Sequence, residues 1–229
     1  MTPKRPARPA IVGHRGASAH APENTLAAFR RAIEDGAQLL ECDVHLSADD
    51  EVVVMHDETI DRTAAADSPR RSGAIGELTR AELDTVLLED GEKVPSLAEL
   101  LETTTVPLFI EVKVAGAGEA VAAQLAALPE DSPAKVSTVI SFHAEALEAI
   151  RRGSPGTPVS YLVEQITAQT IRTAKDLGAA GIGPAISRPR SRTCSTAGAR
   201  ISISSSPNAP FSPAWGLIAA VARRGSATP

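Results

Sequence analysis

The sequence predicts an α/β fold in which parallel strands, each followed by a helix, form a sheet that tends toward a barrel. Short runs rich in Val, Ile and Leu alternate with segments of helical periodicity over most of the chain. Six or more such units are present, more than a small open sheet needs, and 229 residues suit a single large α/β domain. In a barrel of this kind, polar side chains that perform chemistry sit at the C-terminal ends of the strands.

The first strand is read at Ala10–His14, and a helix follows at about Thr25–Asp35. Asn24 is a plausible N-cap, Leu26, Phe29 and Ile33 give one apolar face, and Gly36 is the C-cap candidate. Leu39–Leu46 is the second strand. Ser47–Glu51 is polar and too short for a helical crossover, so Val52–His56 is expected to fold back as a hairpin. With Asp49–Asp50 as a two-residue turn, the register places His56 directly opposite Asp43. Residues 57–107 form a long excursion, an insertion beside the barrel mouth. Within it Thr79-x-x-Glu82 and Ser96-x-x-Glu99 read as capping boxes opening short helices. Later strands are expected at Leu108–Lys113, Val136–Phe142, Val159–Val163 and Gly181–Ile186. Helices at about Glu119–Ala127, Ala144–Arg151 and Ile166–Leu177 separate them.

Bulk properties narrow the functional classes. Hydrophobic residues make up 43% of the chain but aromatics only 3%, so Ala, Val, Leu and Ile must fill the core. Cys42 and Cys194 form neither a disulfide framework nor a zinc pattern. Met1–Pro9 is basic and Pro-rich without a signal-like apolar run, and no segment is apolar enough for stable membrane insertion; a cytoplasmic location is the expectation. The net charge of −5 divides unevenly. Residues 188–229 hold six Arg and no Asp, Glu or Lys, so the remaining 187 residues carry −11. An acidic body of that size disfavours nucleic acid as a partner.

The chemistry concentrates at four predicted strand ends. Glu41 and Asp43 are two apart on a strand, so both project to one face while Cys42 faces the other. Two carboxylates directed into an apolar interior need a cation. The alternative is a structural ion pair with Arg or Lys. Glu111 repeats the pattern on a neighbouring strand, with Lys113 on its face. An oxygen-only donor set favours Mg²⁺, Ca²⁺ or Mn²⁺ over zinc. His14 opens a His-Arg-Gly run, and His56 ends the hairpin. Arg15 is either a phosphate clamp or a surface ion pair. His20, His45 and His143 read as structural or solvent-facing. Glu41, Asp43 and Glu111 sum to −3, and Arg15 with Lys113 brings the site to −1, which repels an anionic phosphodiester; one divalent ion makes it +1.

In combination, His14-Arg-Gly-Ala-Ser-Ala-His-Ala-Pro-Glu-Asn-Thr25, Ala28-Phe29, Gly36-Ala37, Glu41-Cys-Asp43-Val44, His56-Asp57, Arg62-Thr63, Pro95-x-Leu97 and Glu111-Val-Lys113 resemble the glycerophosphodiester phosphodiesterase family over residues 10–187. The resemblance implies a TIM (β/α)8 barrel with a small insertion after the second strand. It also implies metal-dependent hydrolysis of small glycerophosphodiesters to glycerol 3-phosphate and an alcohol. Carried over by position, Glu41, Asp43 and Glu111 are the ligands of a divalent metal, Mg²⁺ or Ca²⁺. His14 is the base and His56 the acid, Arg15 and Lys113 contact phosphate, and Asn24 supports the site. A lysophospholipase D-like activity on the same barrel is the enzymatic alternative. The family's last two strand motifs, Trp-Thr-Val-Asn-like and Gly-Val-Asp-Gly-like, have no counterpart here. The chain is therefore divided into a barrel domain, 1–187, and an atypical tail, 188–229, whose composition fits a shifted reading frame or a disordered segment. Ile201–Ile203 and Leu217–Val221 are its candidate substitute strands, and an inactive truncated barrel is the non-enzymatic reading.

Overall fold

A computed structural model describes residues 10–184 together with two short strands at 200–201 and 218–220. Six parallel strands run through residues 10–184: β1 (Ile11–His14), β2 (Leu39–Leu46), β4 (Leu108–Val112), β5 (Thr138–Ser141), β6 (Val159–Val163) and β7 (Gly181–Pro184). β3 (Val52–Val54) pairs antiparallel with β2. The spatial order is β7-β6-β5-β4-β2-β1-β9-β8, with β8 (Arg200–Ile201) antiparallel to β9 (Ile218–Ala220) and β9 parallel to β1. Among the described strands β7 and β8 end the sheet, and those strands form the wall of a TIM-type barrel that is open between these two edges. The rest of the 188–229 tail lies outside the described residues.

Helices α1 (Leu26–Glu34), α3 (Leu97–Thr103), α4 (Gly118–Ala127), α5 (Ala144–Gly153) and α6 (Ala168–Asp176) alternate with the strands; α2 (Arg80–Leu83) is a single turn within the excursion. Leu40, Cys42, Val44, Leu108, Ile110 and Val139 face outward against Phe29, Leu97, Leu100, Val121, Leu147 and Ile150. The inward positions of the same strands begin with Val12, Leu39, Phe109, Ile140 and Leu162, a separate apolar layer inside the wall. Two residues further along β1, β2 and β4 come His14, Glu41 and Glu111, on the same faces. The site therefore stands on a hydrophobic floor.

Local signals in the sequence match the structure closely in two places. Both capping boxes form, Thr79 with Glu82 and Ser96 with Glu99. Gly36, at φ 91°, ends α1 with the paired bonds from Gly36 N–H to Ile33 C=O and from Ala37 N–H to Ala32 C=O. Two local expectations need correction. The N-cap of α1 is Thr25, whose hydroxyl accepts from Ala28 N–H; Asn24, at φ 57°, turns the other way. The hairpin loop has three residues rather than two. Ser47 N–H donates to Glu51 C=O, Asp50 is left-handed at φ 62°, and Ser47 Oγ accepts from Glu51 N–H. The added loop residue shifts the register by one. Val44 opposes Val54, and Met55, whose N–H reaches Asp43 C=O at 3.0 Å, takes the place expected for His56.

The excursion carries its own small core, in which Val53, Met55, Ile60, Ile75, Leu83, Val86 and Val94 pack together. Its last helix, α3, belongs instead to the main core through Leu97, Leu100 and Leu101.

Candidate active site

Strand register assembles the carboxylates. Parallel pairing sets His14 beside Glu41 and Asp43 beside Glu111, while Glu41 neighbours Phe109 of the floor. One ligand oxygen from each of Glu41, Asp43 and Glu111 lies within 4.8 Å of the others. Glu41 and Asp43 are 3% and 1% exposed, a burial that carboxylates tolerate only with compensating charge or hydrogen bonds.

The loop after β1 supplies part of that compensation. Arg15 and Gly16 are both left-handed, at φ 57° and 77°, and a Cβ on Gly16 would lie 2.5 Å from the backbone carbon of Ala28. Only glycine fits this turn. The turn aims Arg15 N–H at Glu41, 3.0 Å from Oε2, and places Arg15 Nε 3.3 Å from Asp43 Oδ2. Arg15 Nε is buried without a well-aligned acceptor, so this guanidinium retains donor capacity. Asn24 is likewise turned inward: its Nδ2 donates to Asp43 Oδ2 at 3.0 Å, and its Oδ1 accepts from Asp43 N–H at 3.4 Å. On the other side Lys113 Nζ donates to Glu111 Oε1 at 2.9 Å and lies 3.3 Å from Asp43 Oδ1.

These contacts do not fully neutralise the cluster. Burial first, then the charges of Asp43 and Glu111, push Glu41 well above the ordinary carboxyl range despite the opposing pull of Arg15. Lys113 is also half-buried, which disfavours its charge, but Asp43 and Glu111 outweigh that and raise its affinity for a proton. A buried cluster of three carboxylates that resists full ionisation fits one hard divalent cation, and every donor is an oxygen. The residues that could hold it are Glu41, Asp43 and Glu111.

His14 stands at the end of β1 with its Nε2 3.7 Å from Glu41 Oε2. Burial, and then the adjacent Arg15, depress its pKa, which leaves the imidazole neutral near pH 7. His56 lies beyond the β3 ladder, in a bend. It shares an open cavity of about 420 Å³ with Lys113, His45 and His143.

Three groups that the sequence reading left without a role hold this arrangement. His45 Nε2–H donates to the main-chain carbonyl of His56 at 3.2 Å, and His143 Nε2–H donates to that of Lys113 at 2.9 Å. Arg62, from the excursion, bonds Asp57 beside His56 and Glu23 in the β1 loop. Strand parity, which puts His45 on the face of Asp43, was the available signal for the first. Nothing in the local pattern foretold the Arg62 contacts.

Residues 14–193 match the model of the glycerophosphoryl diester phosphodiesterase family. The probable glycerophosphodiester phosphodiesterase 1 of Mycobacterium tuberculosis is 32% identical over 206 residues, covering 78% of this chain and 73% of the relative. A crystal structure of the Agrobacterium tumefaciens glycerophosphodiester phosphodiesterase superposes with a TM-score of 0.64 at 30% identity, over 76% of this chain and 75% of the other. An Oleispira antarctica phosphodiesterase, solved with the product sn-glycerol-3-phosphate, gives a TM-score of 0.67 at 29% identity, over 76% and 74% of the two chains. Carboxylates gathered by strand register, flanking imidazoles and these likenesses converge on one assignment: the chain belongs to the glycerophosphoryl diester phosphodiesterase family.

Proposed function

We propose that the protein is a divalent-metal-dependent phosphodiesterase that hydrolyses small glycerophosphodiesters to glycerol 3-phosphate and an alcohol. The observation that carries this reading is the meeting of Glu41, Asp43 and Glu111 within 4.8 Å, flanked by Lys113, Arg15 and His14. The product bound in the Oleispira relative supports the substrate class.

In this reading Glu41, Asp43 and Glu111 would hold the divalent ion, Mg²⁺ or Ca²⁺, and Asn24 keeps Asp43 oriented through its Nδ2. A divalent ion bound there supplies Lewis-acid stabilisation of charge on the phosphoryl oxygens. Lys113, kept cationic by Asp43 and Glu111, and Arg15, with donor capacity to spare, offset the phosphate's negative charge. His14, neutral because burial and Arg15 depress its pKa, accepts the proton of the attacking oxygen. His56 returns a proton to the oxygen that departs from phosphorus. The cavity beside His56 is lined by His45, Glu58, Lys113 and His143, with Val114 and Ala115 completing its wall.

The test uses the full chain and glycerophosphocholine, with released glycerol 3-phosphate measured by a coupled dehydrogenase. Turnover abolished by a chelator and restored by Mg²⁺ or Ca²⁺ is the expected result. Turnover that persists in chelator refutes the metal assignment, and no turnover with either ion refutes the activity.

A further inference from the structure

His56 sits in a bend, two residues past the last ladder position of the hairpin, so strand pairing does not aim its ring. A chain of charged side chains does. His56 Nδ1 is 2.7 Å from Asp57 Oδ1, and because an ionised carboxylate only accepts, the proton on that contact belongs to Nδ1. Asp57 Oδ2 accepts from Arg62 Nε. Arg62 also donates to Glu23 Oε1 at 2.6 Å, and Glu23 Oε1 accepts from Arg15 at 3.2 Å. Arg15 in turn lies against Asp43. The order His56, Asp57, Arg62, Glu23, Arg15, Asp43 therefore links the hairpin imidazole to the carboxylate cluster through groups of alternating charge.

We propose that Asp57 and Arg62 are positioning residues that hold His56 in the tautomer and orientation needed to protonate the leaving group. The proposal rests on the reading of His56 as the acid. With Nδ1–H committed to Asp57, the second ring nitrogen, Nε2, is the one left to face the reacting oxygen. As the P–O bond breaks, its electron pair stays on the departing oxygen. That oxygen takes the proton from Nε2, and a neutral imidazole remains, with its Nδ1–H still on Asp57. Asp57 stays ionised throughout: the Arg62 hydrogen bond, larger than the opposing effect of its partial burial and reinforced by the hydrogen bond from His56, holds it well below the usual carboxylate range.

A stabilising role explains this network poorly. Arg62 is 51% exposed, and ion pairs between exposed side chains contribute little to folding. What the network does fix is a ring that the β-ladder leaves free. It also joins the excursion to the loop of Arg15, so that the acid and the phosphate-facing side of the site keep a constant relation.

The experiment compares two substrates of different leaving-group quality: glycerophosphocholine, whose alcohol needs protonation, and the p-nitrophenyl ester of glycerol 3-phosphate, whose phenolate departs unaided. His56→Ala is the control for the reading itself, and Asp57→Asn and Arg62→Gln test the proposal. For both test variants, kcat on glycerophosphocholine is expected to fall roughly ten- to a hundredfold, a part of what an acid group supplies, while kcat on the activated ester falls less than about threefold. Melting temperatures within about 4 °C of the wild type exclude misfolding as the cause. If His56→Ala depresses both substrates equally, the acid assignment fails and the proposal falls with it. If His56→Ala is selective but Asp57→Asn and Arg62→Gln affect both substrates equally, or neither, the acid stands and the positioning proposal is overturned.

Discussion

Glu41→Gln tests how the fold tolerates three buried carboxylates. The substitution keeps the side chain's volume and its ability to accept from Arg15 N–H but removes the charge. With ligand oxygens within 4.8 Å, each ionised pair repels by about 3.5 kcal/mol at an effective dielectric of about 20. Glu41 takes part in two such pairs and is itself buried, which is why it holds its proton well above the ordinary glutamate value. The folded, metal-free protein therefore keeps a proton that the unfolded chain has released. Its stability must fall as pH rises from the unfolded-state pKa through the raised one, by about 1.4 kcal/mol per pH unit. In a chain of this size that corresponds to about 3–5 °C in Tm per unit. The assay is thermal melting of chelator-treated wild type and variant between pH 5 and 7, taken as a difference so that His14 and His45, which are also shifted, cancel. Without metal, the wild-type Tm should drop relative to the variant as pH rises. Saturating Mg²⁺ or Ca²⁺ should flatten the wild-type dependence, because the carboxylates then stay ionised around the ion, and should raise the variant's Tm less. Parallel pH curves in the absence of metal would refute the reasoning.

Two further substitutions probe the supports of the site. Asn24→Ala removes the Nδ2 donor to buried Asp43 and should weaken divalent-ion affinity by about 10–100-fold, read by calorimetric titration; unchanged affinity removes Asn24 from the site. Gly16→Ala forces a Cβ to within 2.5 Å of the Ala28 backbone at a φ of 77°, and should lower stability by about 2 kcal/mol or more in urea unfolding. A cost below about 0.5 kcal/mol would mean that the turn after β1 is not constrained as described.

Much of the site was legible because strand geometry is periodic. Glu41 and Asp43 share a face for the same reason that Leu39 and His45 do, and Glu111 on β4 and Lys113 just past its end repeat the spacing. What periodicity does not encode is where a strand stops pairing. The hairpin was one residue out because Asp50 adopts a left-handed conformation that Asp permits without requiring, and Ser47 closes the loop with its hydroxyl. The N-cap of α1 falls on Thr25 instead of Asn24 for a related reason. Thr25 next to it caps α1 equally well, and only the packed turn shows which of the two faces the helix and which faces Asp43.

The amino-acid sequence by itself determined the alternation of strands and helices, both capping boxes and which acidic side chains face the interior, because each follows from contacts a few residues apart. Tertiary structure alone decided that Asp43 lies beside Glu111, 68 positions further along the chain, and that Arg62 bridges Asp57 to Glu23. Those relations depend on strand register and on the docking of the excursion, both set by packing between distant segments, and no local pattern of residues carries them.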